Sequence, residues 1–124
     1  MPRTFEDLVV WKRSRGMANI IFDMCRAVDK SRVDYTLNRQ ITRAVISIVS
    51  NIAKGSSRRT LKDYCHFLDI ANASSAEIRA QLYLFEDQKM ASPELCEELR
   101  NECKVISRMI FGLQKALRKD SGEA

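Results

Sequence analysis

The sequence predicts an all-α protein, an antiparallel up-down-up-down four-helix bundle. Its 124 residues include only 4 glycines and 2 prolines, too few for the frequent turns of an all-β sandwich or barrel. Apolar residues recur at helical spacing in four long segments. Because the gaps between these segments are short, consecutive helices should lie side by side in opposite directions.

The composition indicates one folded domain. With 45% hydrophobic and 30% charged residues, the chain is too apolar to be disordered and is the right size for one ordinary core. We place this domain at residues 1–119 and expect residues 120–124 to form a flexible tail.

The first helix is predicted to begin at Thr4 as N-cap, with Asp7 in its first turn, and to end near Asp29. Its apolar residues surround much of the helix instead of forming one stripe. A helix of this kind is covered on more than one side, so we expect an oligomer. Trp11 and Phe22 are the candidates for subunit contact, with packing inside the bundle or base stacking as alternatives.

The second helix is predicted to run from Leu37, behind Thr36 as N-cap, to Lys54, with Gly55 as its C-terminal stop. Its apolar stripe consists of Leu37, Ile41, Ala44, Val45, Ile48 and Ile52. Its opposite face carries Arg39, Arg43, Ser47, Ser50 and Lys54, and Arg58 and Arg59 follow directly. This segment is the densest basic feature of the chain.

The third and fourth helices show the 4-3 apolar rhythm of bundle helices. The third begins after Thr60 as N-cap and reaches about Gln88; the fourth begins after Ser92, with Pro93 as its first residue, and frays near Lys119. The third-helix seam is Tyr64, Leu68, Ala71, Ser75, Ile78, Leu82 and Phe85. The fourth-helix seam is Leu99, Cys103, Ile106, Ile110, Leu113 and Leu117.

The net charge of +5 is unevenly distributed. Residues 1–59 hold 12 basic and 5 acidic side chains, whereas residues 60–124 hold 9 and 11. Such asymmetry favours a nucleic-acid partner, although a surface that is merely basic is the alternative. The candidate phosphate-binding residues are Arg39, Arg43, Lys54, Arg58 and Arg59.

Three polar residues of the second helix are interpreted differently. We assign Gln40, Ser47 and Asn51 to a structural polar network that sets the register between helices or subunits. Phosphate contact is the alternative for this face.

The sequence contains little that suggests catalysis. The four cysteines are scattered without a C-x-x-C pair, His66 is the single histidine, and the glycines stand alone instead of forming a phosphate loop. We therefore expect no enzyme activity, no metal and no cofactor. Without a membrane-length apolar run or an apolar leader at the N-terminus, the expected location is the cytoplasm.

Three segments resemble a known family. They are residues 5–11 (FEDLVVW), residues 40–53, which read Q-x-x-R-A-x-x-S-I-x-x-N-I-A, and residues 64–71 (YCHFLDIA). These segments resemble the four-helix-bundle proteins encoded in 23S rRNA intervening sequences, and the resemblance extends over about residues 5–117. Lys54 stands where the family motif has glutamate, and residues 31–34 replace the Pro-x-x-Glu of the first loop.

The resemblance implies a small cytosolic bundle that assembles as a ring-like homopentamer. Relatives that serve as accessory proteins of diversity-generating retroelements bind a reverse transcriptase and nucleic acid. Two functional hypotheses follow. The first is a non-enzymatic oligomer that binds RNA or DNA through its basic face. The second is a protein-binding scaffold, or a reverse-transcriptase accessory protein, without direct nucleic-acid contact.

Overall fold

The structure, a computed structural model, describes residues 4–122. A short 3-10 helix (Phe5–Asp7) precedes α1 (Val9–Arg26), α2 (Tyr35–Ser56), α3 (Leu61–Asp87) and α4 (Pro93–Asp120). There is no strand between residues 4 and 122, and the predicted all-α, four-helix class is confirmed.

The α2–α3 and α3–α4 contacts show antiparallel packing. Ser47 on α2 contacts Ser74 on α3. Gly55, eight residues after Ser47, lies beside Phe67, seven residues before Ser74, so the two helices run in opposite directions. The same reversal relates α3 to α4. Glu86, at the end of α3, meets Arg100, near the start of α4, while Gln114 reaches back to Cys65 at the start of α3.

Helix α1 completes the bundle between α2 and α4. Near the turn that joins α1 to α2, the Asn38 Nδ2 donates to the Cys25 carbonyl at 3.3 Å. Along the other side, Met17 lies against Cys103 of α4. Each helix thus packs against two others, and the core lies among all four.

The apolar stripes predicted from periodicity form this core. Most of their members are at most 3% exposed, and Leu37, Tyr64, Leu113 and Leu117 are half-buried. Burying one such aliphatic side chain stabilises the fold by about 1.5–3 kcal/mol. The fully buried members with the largest side chains are Ile41, Ile48, Ile52, Leu68, Ile78, Leu82, Phe85, Leu99, Ile106 and Ile110.

The predicted start of the first helix is wrong. Thr4 precedes the 3-10 helix and makes no side-chain capping hydrogen bond, and the α-helix begins only at Val9. Leu8 separates the 3-10 helix from α1 with an extended backbone (φ −74°, ψ 126°), and its side chain is buried. This break allows Phe5 to fold back onto Trp11, with ring centroids 4.8 Å apart. At its other end α1 stops at Arg26, three residues before the predicted Asp29.

Two features of α2 also differ from the prediction. Its N-cap is Asp34, whose carboxylate accepts from the Leu37 amide at 3.0 Å, and Thr36 lies inside the first turn. Gly55 belongs to the helix, which ends at Ser56. An added Cβ at Gly55 would lie 3.0 Å from Tyr64 Cδ1 and 3.1 Å from Phe67 Cβ. Glycine therefore fits this position because α3 approaches closely, and not because the helix stops.

The starts of α3 and α4 are as predicted. The Thr60 hydroxyl accepts from the Asp63 amide and the Ser92 hydroxyl from the Leu95 amide, both at 3.1 Å. Helix α3 ends one residue before the predicted Gln88, and α4 extends to Asp120. Residues 1–3 of the predicted domain and residues 123–124 of the predicted tail lie outside the described residues.

Candidate nucleic-acid interface

The five cations singled out in the sequence are all exposed. Arg39, Arg43 and Lys54 project from α2, and Arg58 and Arg59 lie in the connection that follows it. Arg39 and Lys54 are separated by about 22 Å along the helix axis at the usual rise per residue. The basic surface, defined as these five residues, therefore extends over most of one side of the bundle.

No carboxylate neutralises the basic surface within the described part of the chain. The ion pairs found there are Arg13–Glu102, Arg26–Asp23 and Arg100–Glu86. None of them involves a residue of the basic surface. Exposed cations without a carboxylate partner remain free to contact an anionic ligand.

Arg58 is oriented by an aromatic ring. Its guanidinium carbon lies 4.6 Å from the centroid of the half-buried Phe67 ring on α3. A cation over a ring face is stabilised by about 0.5–1 kcal/mol at an exposed site. This contact places Arg58 at the junction of α2 and α3 while its side chain remains exposed.

The beginning of the basic surface borders a shallow depression of about 380 Å³. The depression is lined by Arg39, Gln40, Thr42, Arg43 and Ile46. Gln40 is exposed here and, in the described structure, makes no hydrogen bond with Ser47 or Asn51. Gln40 therefore lies outside the hydrogen-bonded network that was expected to include it with Ser47 and Asn51.

Ser47 and Asn51 form a hydrogen-bonded network with Ser74 of α3. The Asn51 Nδ2 donates to the Ser47 carbonyl at 2.8 Å and to its Oγ at 3.0 Å, and the Ser74 hydroxyl lies 2.8 Å from the same Oγ. This network joins α2 to α3 beside the basic surface. The apolar periodicity of α3 identifies Ser75 as a seam residue but gives no indication that the neighbouring Ser74 hydrogen-bonds to α2.

Trp11 and Phe22 are half-buried and pack against the core of their own chain. Arg15 lies 5.8 Å from the Trp11 ring centroid, and Arg26 lies 5.7 Å from that of Phe22. The strongly exposed apolar side chains of α1 are other residues, namely Val9 (58% exposed) and Ile20 (45%).

Two of the thiols lie in surroundings that disfavour their reactive form. Burial raises the pKa of both Cys25 and Cys103 to about 11, so the thiolate is scarce at neutral pH. Across residues 4–122, no three His, Cys, Asp or Glu side chains are grouped so that they could hold a metal ion. Nor does any helix in this range have the length and apolar character needed to cross a membrane.

Together, fold and surface define a small antiparallel four-helix-bundle protein with one exposed basic side. Residues 6–112 match the family model described as 23S rRNA-intervening sequence protein. Because this match includes most of the chain, the protein belongs to that family.

A solved structure supports the fold independently. The chain is similar to a protein of unknown function from Bacteroides thetaiotaomicron, described as a member of the S23 ribosomal protein family. The two superpose with a TM-score of 0.80 at 22% sequence identity, over 86% of this chain and 96% of the other. A comparison with curated proteins finds no significant match. Neither similarity indicates a catalytic family.

Proposed function

We propose that this protein is a non-catalytic, oligomeric nucleic-acid-binding protein that contacts phosphates through its basic surface. The observation that carries the proposal is the row of five exposed cations, none of them paired with a carboxylate in the described structure. Cations that neutralise phosphates release condensed counterions, and this release drives non-specific binding.

Phosphate contacts position a nucleic acid without reading its bases, so little sequence specificity is expected. The family name refers to sequences within 23S rRNA, and RNA is therefore the first ligand to test. Lys54, which replaces the glutamate of the family motif, adds a positive charge to the surface. The cytoplasm is the proposed location.

Oligomerisation would multiply these contacts. Several copies of one basic surface on a single polymer raise the overall affinity through effective concentration. The exposed Val9 and Ile20 on α1 support a second packing surface there, and the ring-like pentamer is proposed from the family resemblance. Light scattering measures the mass in solution, and a monomer at micromolar concentration would contradict this part of the proposal.

The basic surface is tested by a binding titration with matched charge removal. Fluorescence anisotropy of a labelled 30-nucleotide RNA is measured from about 50 to 200 mM salt for the wild type and for the Arg58→Ala/Arg59→Ala variant. The slope of log K against log salt is negative, and losing two phosphate contacts should reduce its magnitude by about 1.4–1.8. The control is Lys104→Ala/Arg108→Ala, which removes the same charge from exposed residues of α4. Absence of binding at low salt, or equal losses in both variants, would refute the proposal.

A second candidate function is a scaffold whose basic surface contacts either an acidic protein or a reverse transcriptase, without contacting nucleic acid itself. It is favoured by Ile46, which is 49% exposed and lines the same depression as Arg39 and Arg43. An exposed apolar side chain next to cations suits a protein surface better than a phosphate backbone. A pull-down from nuclease-treated lysate separates the two functions, because a scaffold keeps its partner when nucleic acid is destroyed.

A further inference from the structure

The end of the bundle where α3 begins and α4 ends contains an open pocket of about 370 Å³. It is lined by Leu61, Lys62, Cys65, His66, Asp69 and Arg118. Lys62, His66 and Arg118 are exposed, and neither Lys62 nor Arg118 belongs to an ion pair in the described structure. The antiparallel packing of α3 and α4 brings these residues together from positions more than 50 apart in the sequence.

Aromatic side chains connect this pocket to the basic surface. The rings of His66 and Phe67 meet edge to face, with centroids 5.6 Å apart. Arg58 lies over the other ring of this pair, Phe67. The contacts therefore run without a gap from Arg58 through Phe67 and His66 to the pocket.

We propose that this end of the bundle is a binding site for unpaired nucleic acid. An unstacked base lies against the exposed His66 ring, and Lys62 and Arg118 contact the phosphates on either side of it. The inference rests on the proposed function and specifies its ligand as single-stranded nucleic acid.

The arrangement suits a single strand because both required groups are present. Proteins that bind single strands combine aromatic faces, on which bases stack, with cations that follow the backbone. In a duplex the base faces are already stacked on their neighbours and are closed to a protein ring. Cations alone would bind both forms, so the exposed ring is what distinguishes them.

The carboxylate of the pocket agrees with this orientation. Asp69 accepts a hydrogen bond from the buried Gln114 Nε2 at 2.8 Å, which holds it at the pocket wall. A carboxylate repels phosphate and accepts hydrogen bonds from exocyclic amino groups of bases. The base therefore occupies the pocket, while phosphates stay at the cations on its rim.

The test compares three labelled 12-nucleotide ligands by anisotropy at about 50 mM salt. They are a single strand, its blunt duplex, and an abasic deoxyribose-phosphate strand that keeps the charge but has no bases. The wild type should bind the single strand about tenfold or more tightly than the duplex or the abasic strand. This ratio corresponds to one stacked base.

The variant His66→Ala should weaken single-strand binding about tenfold and leave abasic binding unchanged, because only stacking is removed. Phe67→Leu, which keeps an apolar side chain but removes the ring, should act in the same direction. The variant Lys62→Ala/Arg118→Ala should weaken all three ligands, and more than the charge-matched Lys104→Ala/Arg108→Ala control. Circular dichroism verifies that each variant is folded.

The possible outcomes separate this inference from the proposed function. A wild type that binds none of the ligands refutes both. A wild type that binds duplex as tightly as single strand, or a folded His66→Ala variant with unchanged single-strand affinity, refutes the inference and leaves a phosphate-binding surface intact. If the partner is a protein alone, it is captured from nuclease-treated lysate and none of the three ligands binds, which refutes both the inference and the proposed function.

Discussion

The contact between α2 and α3 and the contact between α1 and α4, here called the α2–α3 seam and the α1–α4 seam, are stabilised in different ways. Between α2 and α3, Gly55 permits close approach and the Ser47–Ser74 hydrogen bond joins the helices. Between α1 and α4, Arg13 forms two hydrogen bonds with Glu102, at 2.6 and 2.9 Å, across a groove that includes exposed Ile20. This pairing raises the pKa of Arg13 above its usual value.

The two seams differ in whether their cations form ion pairs. At the α1–α4 seam a cation is paired across the interface and serves the bundle itself. Beside the α2–α3 seam, neutral hydroxyl and amide groups make the hydrogen bonds, and the cations of the basic surface form no ion pair in the described structure. A helix pair held by packing and neutral hydrogen bonds leaves its surface charge available to a ligand.

The largest expected effect contrasts a buried isoleucine of α2 with an exposed isoleucine of α1. Ile48 on α2 is fully buried, whereas Ile20 beside the α1–α4 groove is 45% exposed. Ile48→Ala should lower the free energy of unfolding by about 2–5 kcal/mol, because it leaves a cavity. Ile20→Ala should cost less than about 1 kcal/mol, since little buried area is lost. Urea titration measures both, and similar losses would contradict the contrast.

The next prediction concerns helix approach and uses two glycines. Gly112→Ala, in α4 with nothing within 4 Å of the new Cβ, should stabilise by about 0.5–1 kcal/mol through helix propensity. Gly55→Ala should instead destabilise by about 1–2 kcal/mol, because its Cβ meets atoms of Tyr64 and Phe67 at 3.0–3.2 Å. Thermal or urea unfolding decides the sign, and a stabilised Gly55→Ala variant would show that α3 yields easily.

Hydrogen bonding across the α2–α3 seam should have a smaller effect. Ser74→Ala removes the hydroxyl that contacts Ser47, and the free energy of unfolding should fall by about 0.5–1.5 kcal/mol. Since both hydroxyls are neutral, the loss should be the same at 0.1 and 1 M salt. A loss that disappears in high salt would point to an electrostatic role instead.

The smallest effect is expected for the ion pair of the α1–α4 seam. A double-mutant cycle with Arg13→Ala and Glu102→Ala should give a coupling of about 0.2–1 kcal/mol, because the Arg13 side chain is 44% exposed. The coupling should shrink at 1 M salt through screening. A larger coupling energy that does not change with salt would contradict the proposed difference between the α1–α4 and α2–α3 seams.

Local signals could be read correctly from the sequence. Thr60 and Ser92 cap their helices as predicted because a cap depends on the residue and the first turn behind it. The seams of α3 and α4 were recovered because burial follows the 3.6-residue period. Exposure of the basic residues of α2 followed from the same period.

Features that depend on a neighbouring helix were missed or misread. Leu8 has an extended backbone and a buried side chain and separates the 3-10 helix from α1, and no local pattern marks that break. Gly55 was taken for a helix stop because a C-terminal glycine and a close-packing glycine look alike in sequence. Gln114 is a buried polar residue of α4, and its hydrogen-bond acceptors on α3, the Cys65 carbonyl and the Asp69 carboxylate, could not be identified from the sequence.

The sequence alone determined that this protein consists of four amphipathic helices with a concentrated basic segment, since periodicity and charge are properties of neighbouring residues. Only the tertiary structure decided which side chains meet across helices. It joined Ser47 to Ser74 and brought Lys62, His66 and Arg118 to one pocket, which Phe67 connects to Arg58. Such contacts depend on the register of antiparallel helices, which is set by packing over the whole core and has no local signature.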